Sequence, residues 1–447
     1  MSDILKAMQP ATTYRQSMRT GFYVAVIASL FILFLGWWFG SMTSILSAND
    51  RVMAIGRLFG LLAGWSVVVE IILMSRVPFI ERAFDLQEIS DLHRLNGYTL
   101  LVSISGHFAY QLIGYAETAH ISWWSQFLAF SSSQYEDVLW ATLGTIIFFG
   151  VGAISIHMIR TKMRYEIWYL VHLTIYFGIY LTFLHQIKLG GDFIANFWFA
   201  SYWYMLYILA FVVWAWYRVV RQFVLFVRHR FKVLSIEKTA TNTYSVVLTG
   251  KNLREFDYEA GQYATWRFMT PSLWYEAHPF SFSSSPGMEV LRFTIKASLD
   301  YRERLMKLKV GSYVIVDGPR GNFTADRAAE TSNTVLIAGG IGITPFLSNI
   351  RQLLHDGKNV LLLYAVRTPE DVAFSDELRQ LQAYGLKINF FVDSVGQRIT
   401  YDALSRVAYE DTTIYICGPD GMSKALVKNL KQLGVSSENI VTERFAY

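Results

Sequence analysis

The chain has 447 residues, of which 53% are hydrophobic and 17% are charged, and its formal net charge is +5 at pH 7. This length predicts two or three domains, and the hydrophobic surplus excludes an ordinary soluble protein. The positive charge does not indicate nucleic-acid binding, because many of the cations flank apolar blocks and no basic stripe with interleaved aromatic residues occurs. The single cysteine, Cys417, excludes an intramolecular disulfide and a cysteine-based metal cluster.

Six apolar segments each approach the ~20 residues that a helix needs to cross a bilayer. We predict membrane spans at 21–40, 54–75, 91–114, 138–159, 166–187 and 199–221. Lysine and arginine concentrate at the N-terminus, in alternate loops and after residue 217, so the positive-inside rule predicts that both termini are cytoplasmic. The 115–137 loop lacks both residue types, and its Trp123 and Trp124 favour the outer interface. The sequence therefore predicts a multi-pass protein of the plasma membrane or inner membrane.

Two of these spans carry paired histidines. His93 and His107 are fourteen residues apart on the third span, and His172 and His185 are thirteen apart on the fifth. The two spans run in the same direction, so each of two levels receives one imidazole from each helix. His93 and His172 are predicted to lie towards the cytoplasm, and His107 and His185 towards the outside. Two facing imidazoles in an apolar bundle suit a haem, whereas the alternative is histidines that only hydrogen-bond within the core. Thirteen helical residues leave two side chains about 140° apart, so the fifth span needs local overwinding, or the two haems need different orientations.

The rest of the chain follows two different patterns. Residues 231–327 alternate as in an antiparallel β domain, and residues 334–447 alternate strand and helix patterns, which indicates a parallel sheet with crossover helices. Gly339, Gly340 and Gly342 lie at the first strand-to-helix turn, where small residues let a ligand approach the backbone. The predicted fold is a multidomain membrane protein with a six-helix bundle (1–228), an antiparallel β-barrel (229–328) and a Rossmann-like α/β domain (329–447).

Over nearly its whole length the chain resembles the ferric reductase and NADPH oxidase superfamily. The resemblance implies a transmembrane domain with two b-type haems, an FAD-binding barrel and a nicotinamide-binding domain. It also implies that electrons pass from cytoplasmic NADPH, or from NADH, through FAD and the haems to an acceptor on the outer face. The positions that match the family's four haem ligands are His93, His107, His172 and His185.

The segment HPFS, residues 278–281, matches the flavin motif of this family. The resemblance implies that Phe280 packs against the isoalloxazine, that Ser281 hydrogen-bonds near the flavin N5 and that His278 lies by the FAD phosphates. A second segment, IKAS, matches the position where the family contacts the pyrophosphate. The implied FAD contacts are His278, Pro279, Phe280, Ser281, Lys296 and Ser298.

Two further segments match the nicotinamide-binding region of the family, GGIGITP at 339–345 and CGP at 417–419. The second match implies that Cys417 lies by the hydride-transfer path, although a lone cysteine is more commonly a small buried hydrophobe. Arg367 matches the arginine that contacts the 2′-phosphate in NADPH-preferring members, where a planar guanidinium suits the phosphate; the alternative is an ordinary strand-end arginine. The implied dinucleotide contacts are Gly339, Gly340, Gly342, Thr344, Pro345, Arg367, Gly418 and Pro419.

Other positions bear on the flavin and on the acceptor. Phe445 matches an aromatic residue that covers the flavin, Tyr447 is an equally physical candidate, and either could belong to the core. Arg57 matches an arginine that oxidase members hold near the outer haem, or it is a snorkelling interfacial residue. Gln111 stands where oxidase members commonly have a histidine, which weakens the case for oxygen as the acceptor. Glu70, inside the second span, is more consistent with pairing to a cation than with a redox role.

The sequence leaves the electron acceptor open. The resemblance favours O2, which would be reduced to superoxide. The alternatives are a ferric chelate, or a separate protein partner that docks on the outer face.

Overall fold

A computed structural model describes residues 11–42, 47–132, 136–156, 162–163, 165–408 and 411–444. The chain divides into a helical unit, residues 19–80 and 86–218, and a β-rich unit that holds residues 1–18, 81–85 and 219–447. The helices are α1 (Ala11–Trp37), α2 (Ala48–Met74), α3 (Pro78–Ala83), α4 (Leu86–Ala119), α5 (Trp123–Phe130), α6 (Glu136–Ser155), α7 (Tyr165–His172), α8 (Ile175–Leu189), α9 (Gly191–Ala195), α10 (Phe197–Ala215), α11 (Arg221–His229), α12 (Leu299–Leu305), α13 (Thr344–His355), α14 (Ser375–Ala383), α15 (Tyr401–Ser405) and α16 (Asp420–Gln432).

Four helical segments are long and apolar enough to cross a membrane, judged by length and composition among the described residues. They are Arg15–Met42, Ala48–Met74, Asp137–Ser155 and Phe197–His229. The third predicted span lies in α4, a 34-residue helix whose beginning carries Glu88, Asp91 and Arg94 and is therefore more polar than a typical span. The fifth predicted span consists of two helices, α7 and α8. A bundle of six spans thus stays a prediction.

The break between α7 and α8 is an overwound turn. Within it the amides of Thr174 and Phe177 donate to the carbonyls three residues earlier, those of Val171 and Thr174, at 3.1 and 3.0 Å. Such a turn advances about 120° per residue instead of about 100°, so each overwound residue removes roughly 20° of the ~140° offset. Overwinding, one of the two alternatives that the thirteen-residue spacing left open, is therefore present between His172 and His185, and it reduces the angle between their side chains.

The first part of the β-rich unit contains two antiparallel three-stranded sheets, ordered β1-β2-β5 and β4-β3-β6. Their inward faces share one core, in which Trp266 stacks on Phe293 with ring centroids 4.3 Å apart. The predicted antiparallel domain is confirmed, and its closure into a barrel stays a prediction. The strands of the unit are β1 (Lys232–Ala240), β2 (Thr243–Thr249), β3 (Tyr263–Phe268), β4 (His278–Ser281), β5 (Leu291–Lys296), β6 (Val314–Arg320), β7 (Asn333–Gly339), β8 (Asn359–Val366), β9 (Lys387–Val392), β10 (Thr412–Gly418) and β11 (Ile440–Arg444).

The second part of the unit is a five-stranded parallel sheet in the order β11-β10-β7-β8-β9. Strands β7 and β10 are buried along nearly their whole length, as expected for a sheet with helices on both faces. Because β7 and β10 are neighbours, the turns that follow them lie side by side, and the Cβ of an alanine at Gly418 would come 3.0 Å from the Cα of Gly339. The predicted parallel sheet is confirmed, and its topology brings the two glycine-containing segments together.

Candidate functional site

The four histidines form two pairs within the helical unit. The rings of His93 and His172 have centroids 6.1 Å apart, and so do the rings of His107 and His185. Two metal–nitrogen bonds of roughly 2.0–2.1 Å, plus ~1.1 Å from each nitrogen to its ring centre, require about 6.3 Å between centroids. The separation in each pair therefore fits one metal ion held between two imidazoles, as in a bis-histidine haem.

Hydrogen bonds at Nδ1 orient three of these rings. Nδ1 of His107 donates to the carbonyl oxygen of Gly56 at 2.8 Å. Nδ1 of His172 lies 3.2 Å from the hydroxyl of Ser155, and Nδ1 of His93 hydrogen-bonds a carboxylate oxygen of Glu70. A histidine whose Nδ1 is occupied in this way presents Nε2 to a metal.

The sequence predicted a cation as the partner of Glu70. Among the described residues its carboxylate pairs with His93, and Asn96 Nδ2 donates to its other oxygen at 2.9 Å. The same Asn96 nitrogen lies 2.9 Å from the carbonyl of Ser66. Because α2 and α4 pack side by side, Glu70 supports a candidate haem ligand that is 23 residues away in sequence.

Arg57 belongs to a polar cluster close to the other histidine pair. Its Nε donates to the hydroxyl of Ser41 at 2.8 Å and lies 3.8 Å from Oδ2 of Asp192, and Ser41 in turn donates to Asp192. Asp192 is 5% exposed, so the cluster is built into the unit. Arg57 follows Gly56, the partner of His107, so its backbone lies at the level that the sequence predicts to be the outer one. Sequence reasoning missed Ser41 and Asp192, since nothing in their local context marks them.

Gln111 does not point freely into the site. Its side-chain Nε2 donates to the carbonyl of Met53 on α2 at 3.1 Å. Gln111 therefore ties α4 to α2.

In the β-rich unit, the HPFS segment forms β4. The ring of Phe280 is 6% exposed and stacks on Phe293 with centroids 5.4 Å apart, so its predicted packing against a flavin stays a prediction. Ser281 has a buried hydroxyl without a hydrogen-bond partner among the described residues, which fits a contact to a bound group. His278 Nε2 lies 3.3 Å from Glu276; Pro279, the remaining motif position, is exposed.

The predicted pyrophosphate segment has partners of its own. Lys296 Nζ lies 3.3 Å from a carboxylate oxygen of Asp371. Ser298 caps α12, since its hydroxyl accepts from the amide of Tyr301 at 3.4 Å. Their contact with a pyrophosphate stays a prediction.

The predicted dinucleotide loop needs glycine at two positions for different reasons. Gly340 has φ +54°, in the left-handed region, and a Cβ there would face open space. A Cβ at Gly342 would lie 2.1 Å from the carbonyl oxygen of Cys417, so only glycine fits. Thr344 and Pro345 begin α13 and are buried, and the Thr344 hydroxyl donates to the loop carbonyl of Ile341 at 3.0 Å. The loop is thus held tightly where the backbone would meet a dinucleotide.

Cys417 is fully buried on β10, opposite Glu443 of β11. Burial raises the pKa of the Cys417 thiol well above its usual value, and the carboxylate of Glu443 raises it further, so the thiol stays protonated. Burial also raises the pKa of Glu443 to about 8, and one of its oxygens is buried without a hydrogen bond among the described residues. Sequence reasoning missed Glu443, although an acid two positions before Phe445 was a usable signal. Phe445 and Tyr447 lie outside the described residues.

Gly418, Pro419 and Arg367, the remaining positions of the predicted nicotinamide region, lie at strand ends. Gly418 ends β10 and Pro419 follows it directly, and a Cβ at Gly339 would lie 2.8 Å from Pro419. Arg367 directly follows β8 and is exposed, and its side chain has no ion pair among the described residues. Its guanidinium is therefore available to an anionic group.

Three family models match successive parts of the chain. The "Ferric reductase like transmembrane component" matches residues 59–183, an "FAD-binding domain" matches 228–339 and an "Oxidoreductase NAD-binding domain" matches 336–428. The chain is thus a membrane-linked oxidoreductase with flavin- and NAD(P)H-binding domains. More particularly, a ferric-reductase-like transmembrane domain fused to FAD- and NAD-binding domains matches the architecture of ferric reductases and NADPH oxidases.

Parts of the chain are similar to reductase components and to a flavohemoprotein. The carnitine monooxygenase reductase subunit of Escherichia coli is 33% identical over 140 residues, which cover 31% of this chain and 43% of that protein. A flavohemoprotein of Candida albicans is 30% identical over 230 residues, covering 46% of this chain and 57% of that protein. The chain spans about half the length of these relatives. Among solved structures, the FAD/NAD-binding domain of a Vibrio cholerae nitric oxide dioxygenase is 24% identical with a TM-score of 0.41, covering 49% of this chain and 99% of that one.

Proposed function

We propose that the protein moves electrons from cytoplasmic NADPH, through FAD and two b-type haems, to an acceptor on the outer face of the membrane, and that this acceptor is O2, reduced to superoxide. The observation that carries the proposal is the pair of matched histidine contacts, 6.1 Å between ring centroids at both levels. The proposed division is a transmembrane domain at 1–228, an FAD domain at 229–328 and a nicotinamide domain at 329–447, with both termini cytoplasmic.

Bound FAD would supply the conversion of a two-electron hydride donor into single electrons, which haems require. Within the β-rich unit the residues bind and orient. The loop at Gly340 and Gly342 admits the dinucleotide backbone, and Arg367 offers a guanidinium to the 2′-phosphate. The hydroxyl of Ser281 is available to the flavin, and Glu443, with a pKa of about 8, holds a proton near neutral pH.

In the helical unit, His93 and His172 would hold the inner haem, and His107 and His185 the outer haem. Held by two histidines, such a haem would offer no open coordination position, so an acceptor would have to be reduced at its edge. Arg57, held by Ser41 and Asp192 next to the His107 level, provides a fixed positive charge there. A fixed cation favours an acceptor that becomes negatively charged on reduction, such as O2.

A ferric chelate is the second candidate acceptor. The observation that favours it is Gln111, whose amide is bound to the Met53 carbonyl and cannot shuttle a proton as imidazole does. The transmembrane match to ferric reductases supports the same reading.

Turnover of the purified protein with NADPH distinguishes these acceptors. Cytochrome c reduction that superoxide dismutase suppresses supports the oxidase. Turnover that requires added ferric chelate supports the reductase and contradicts O2 as acceptor. Turnover with neither would contradict both small-molecule acceptors and favour a separate protein partner.

The haem assignment has its own test. In His107→Leu, we expect NADPH to reduce the flavin as in the wild type, whereas the absorbance of one haem is lost. His355→Leu, at an exposed position of the β-rich unit, is the matched control and should retain both haems. If His107→Leu also retained both, the ligand assignment would be wrong.

A further inference from the structure

Helix α2 supplies one hydrogen-bond acceptor to α4 at each histidine level. Gly56 and Glu70 are fourteen residues apart on α2, the same spacing as His107 and His93 on α4. The carbonyl of Gly56 serves His107 at 2.8 Å, and the carboxylate of Glu70 serves His93. The two levels therefore receive acceptors of different charge, a neutral carbonyl and a carboxylate.

The other two histidines do not cancel this difference. His172 lies 3.2 Å from the neutral hydroxyl of Ser155, and Nδ1 of His185 makes no hydrogen bond among the described residues. Asp137 is the carboxylate close to His185, and it makes no hydrogen bond with Nδ1 of that ring. Among the described residues, Glu70 is thus the carboxylate that hydrogen-bonds one of the four rings.

The hydrogen bond is held in place by its surroundings. Glu70 is 14% exposed, and Asn96 occupies its second oxygen at 2.9 Å while also contacting the Ser66 carbonyl at 2.9 Å. A carboxylate in an apolar helix is costly unless it is paired in this way. The arrangement therefore aims one carboxylate oxygen at Nδ1 of His93.

A carboxylate behind a metal-bound histidine raises the basicity of the ligand more than a carbonyl does, because its hydrogen bond is charge-assisted. A more basic ligand stabilises the oxidised, more positive iron and so lowers the reduction potential of a haem. We infer that Glu70 is a positioning residue that makes the haem at His93 and His172 the lower-potential of the two. One electron would then leave ferrous iron at that level and reduce ferric iron at the His107 and His185 level, without transfer of a proton. This inference rests on the proposed function.

The test compares the two haem potentials in the full-length protein. Redox titration of the haem absorbance in the wild type should resolve two one-electron steps. In Glu70→Gln the lower step should move upward and the upper step should stay, so that the equilibrium between the haems changes at least tenfold, about 59 mV for a one-electron couple. Asp91→Asn is the matched control, because this 58%-exposed acid lies two residues before His93 without contacting it, and both steps should stay.

Each other outcome is decisive. The inference would be overturned if a Glu70→Gln protein that binds both haems kept both reduction potentials unchanged. It would also be overturned if both potentials shifted equally, because the charge of Glu70 would then act on both haems alike. If Glu70→Gln binds fewer haems, Glu70→Asp is the second test, because aspartate keeps the negative charge but its shorter side chain withdraws the oxygen from His93. The lower step of Glu70→Asp should rise, and a lower step that does not rise would overturn the inference. A wild-type protein without haem absorbance would instead contradict the proposed function.

Discussion

Gly60→Ala should expel the haem from the outer histidine pair. A Cβ at Gly60 would lie 2.6 Å from Nδ1 of His107 and 2.9 Å from its Cε1, whereas ordinary contact begins at 3.4 Å. The imidazole must therefore retreat by about 0.8 Å, because α2 packs too densely to move instead. That retreat stretches the 2.8 Å hydrogen bond to Gly56 and exceeds the roughly 0.2 Å that metal–ligand distances tolerate.

The expected result is a haem-to-protein ratio that falls from two towards one, with flavin reduction by NADPH unchanged. Helix propensity works in the opposite direction, since alanine is favoured over glycine by about 1 kcal/mol in a helix interior. Gly150→Ala is the control, because a Cβ at Gly150 meets nothing within 4 Å. A Gly60→Ala protein with both haems and an unchanged spectrum would refute the placement of His107 against α2.

Two predictions concern the β-rich unit. Arg367→Ala should raise KM for NADPH about tenfold or more, as expected for loss of a charge-assisted contact of about 1.5 kcal/mol, and should leave KM for NADH unchanged. Steady-state kinetics with each of the two cofactors measures both values. Equal increases in KM for NADPH and NADH would contradict the contact of Arg367 with the 2′-phosphate. Glu377 accepts from Arg292 at 3.0 Å and Arg351 at 2.5 Å; burial raises its pKa, but the two arginines lower it more. Stability from this contact is therefore present above the unfolded pKa of about 4.3 and lost as pH falls through the lower folded value. Glu377→Gln should unfold more easily at pH 7, by about 1–2 kcal/mol. Thermal unfolding in detergent should show this difference shrinking as pH falls below about 4.3 and vanishing once pH is below the lowered pKa of folded Glu377. A difference that does not shrink as pH falls would contradict the role of the charge.

How far sequence reasoning reached depends on the range of the interaction. The spacing of His93, His107, His172 and His185 predicted two levels, and either an overwound fifth helix or two haems in different orientations, because the angle and rise per residue are local properties of a helix. It also predicted two kinds of sheet and the glycine turn after β7. The same reasoning predicted that Glu70 is paired but did not name His93, since composition shows that a buried carboxylate needs a partner but not which helix supplies it.

By itself, the sequence determined the order of the domains, the elements of the β-rich unit and the four histidines that face one another. Only the tertiary structure decided their surroundings: the carboxylate behind His93, the carbonyl behind His107, the Ser41 and Asp192 contacts of Arg57 and the buried Glu443 beside Cys417. The physical reason is that periodicity records which face of a helix or strand is apolar, whereas a hydrogen bond between distant segments depends on the packing of both. These distant contacts distinguish two levels that the histidine spacing alone makes look equivalent.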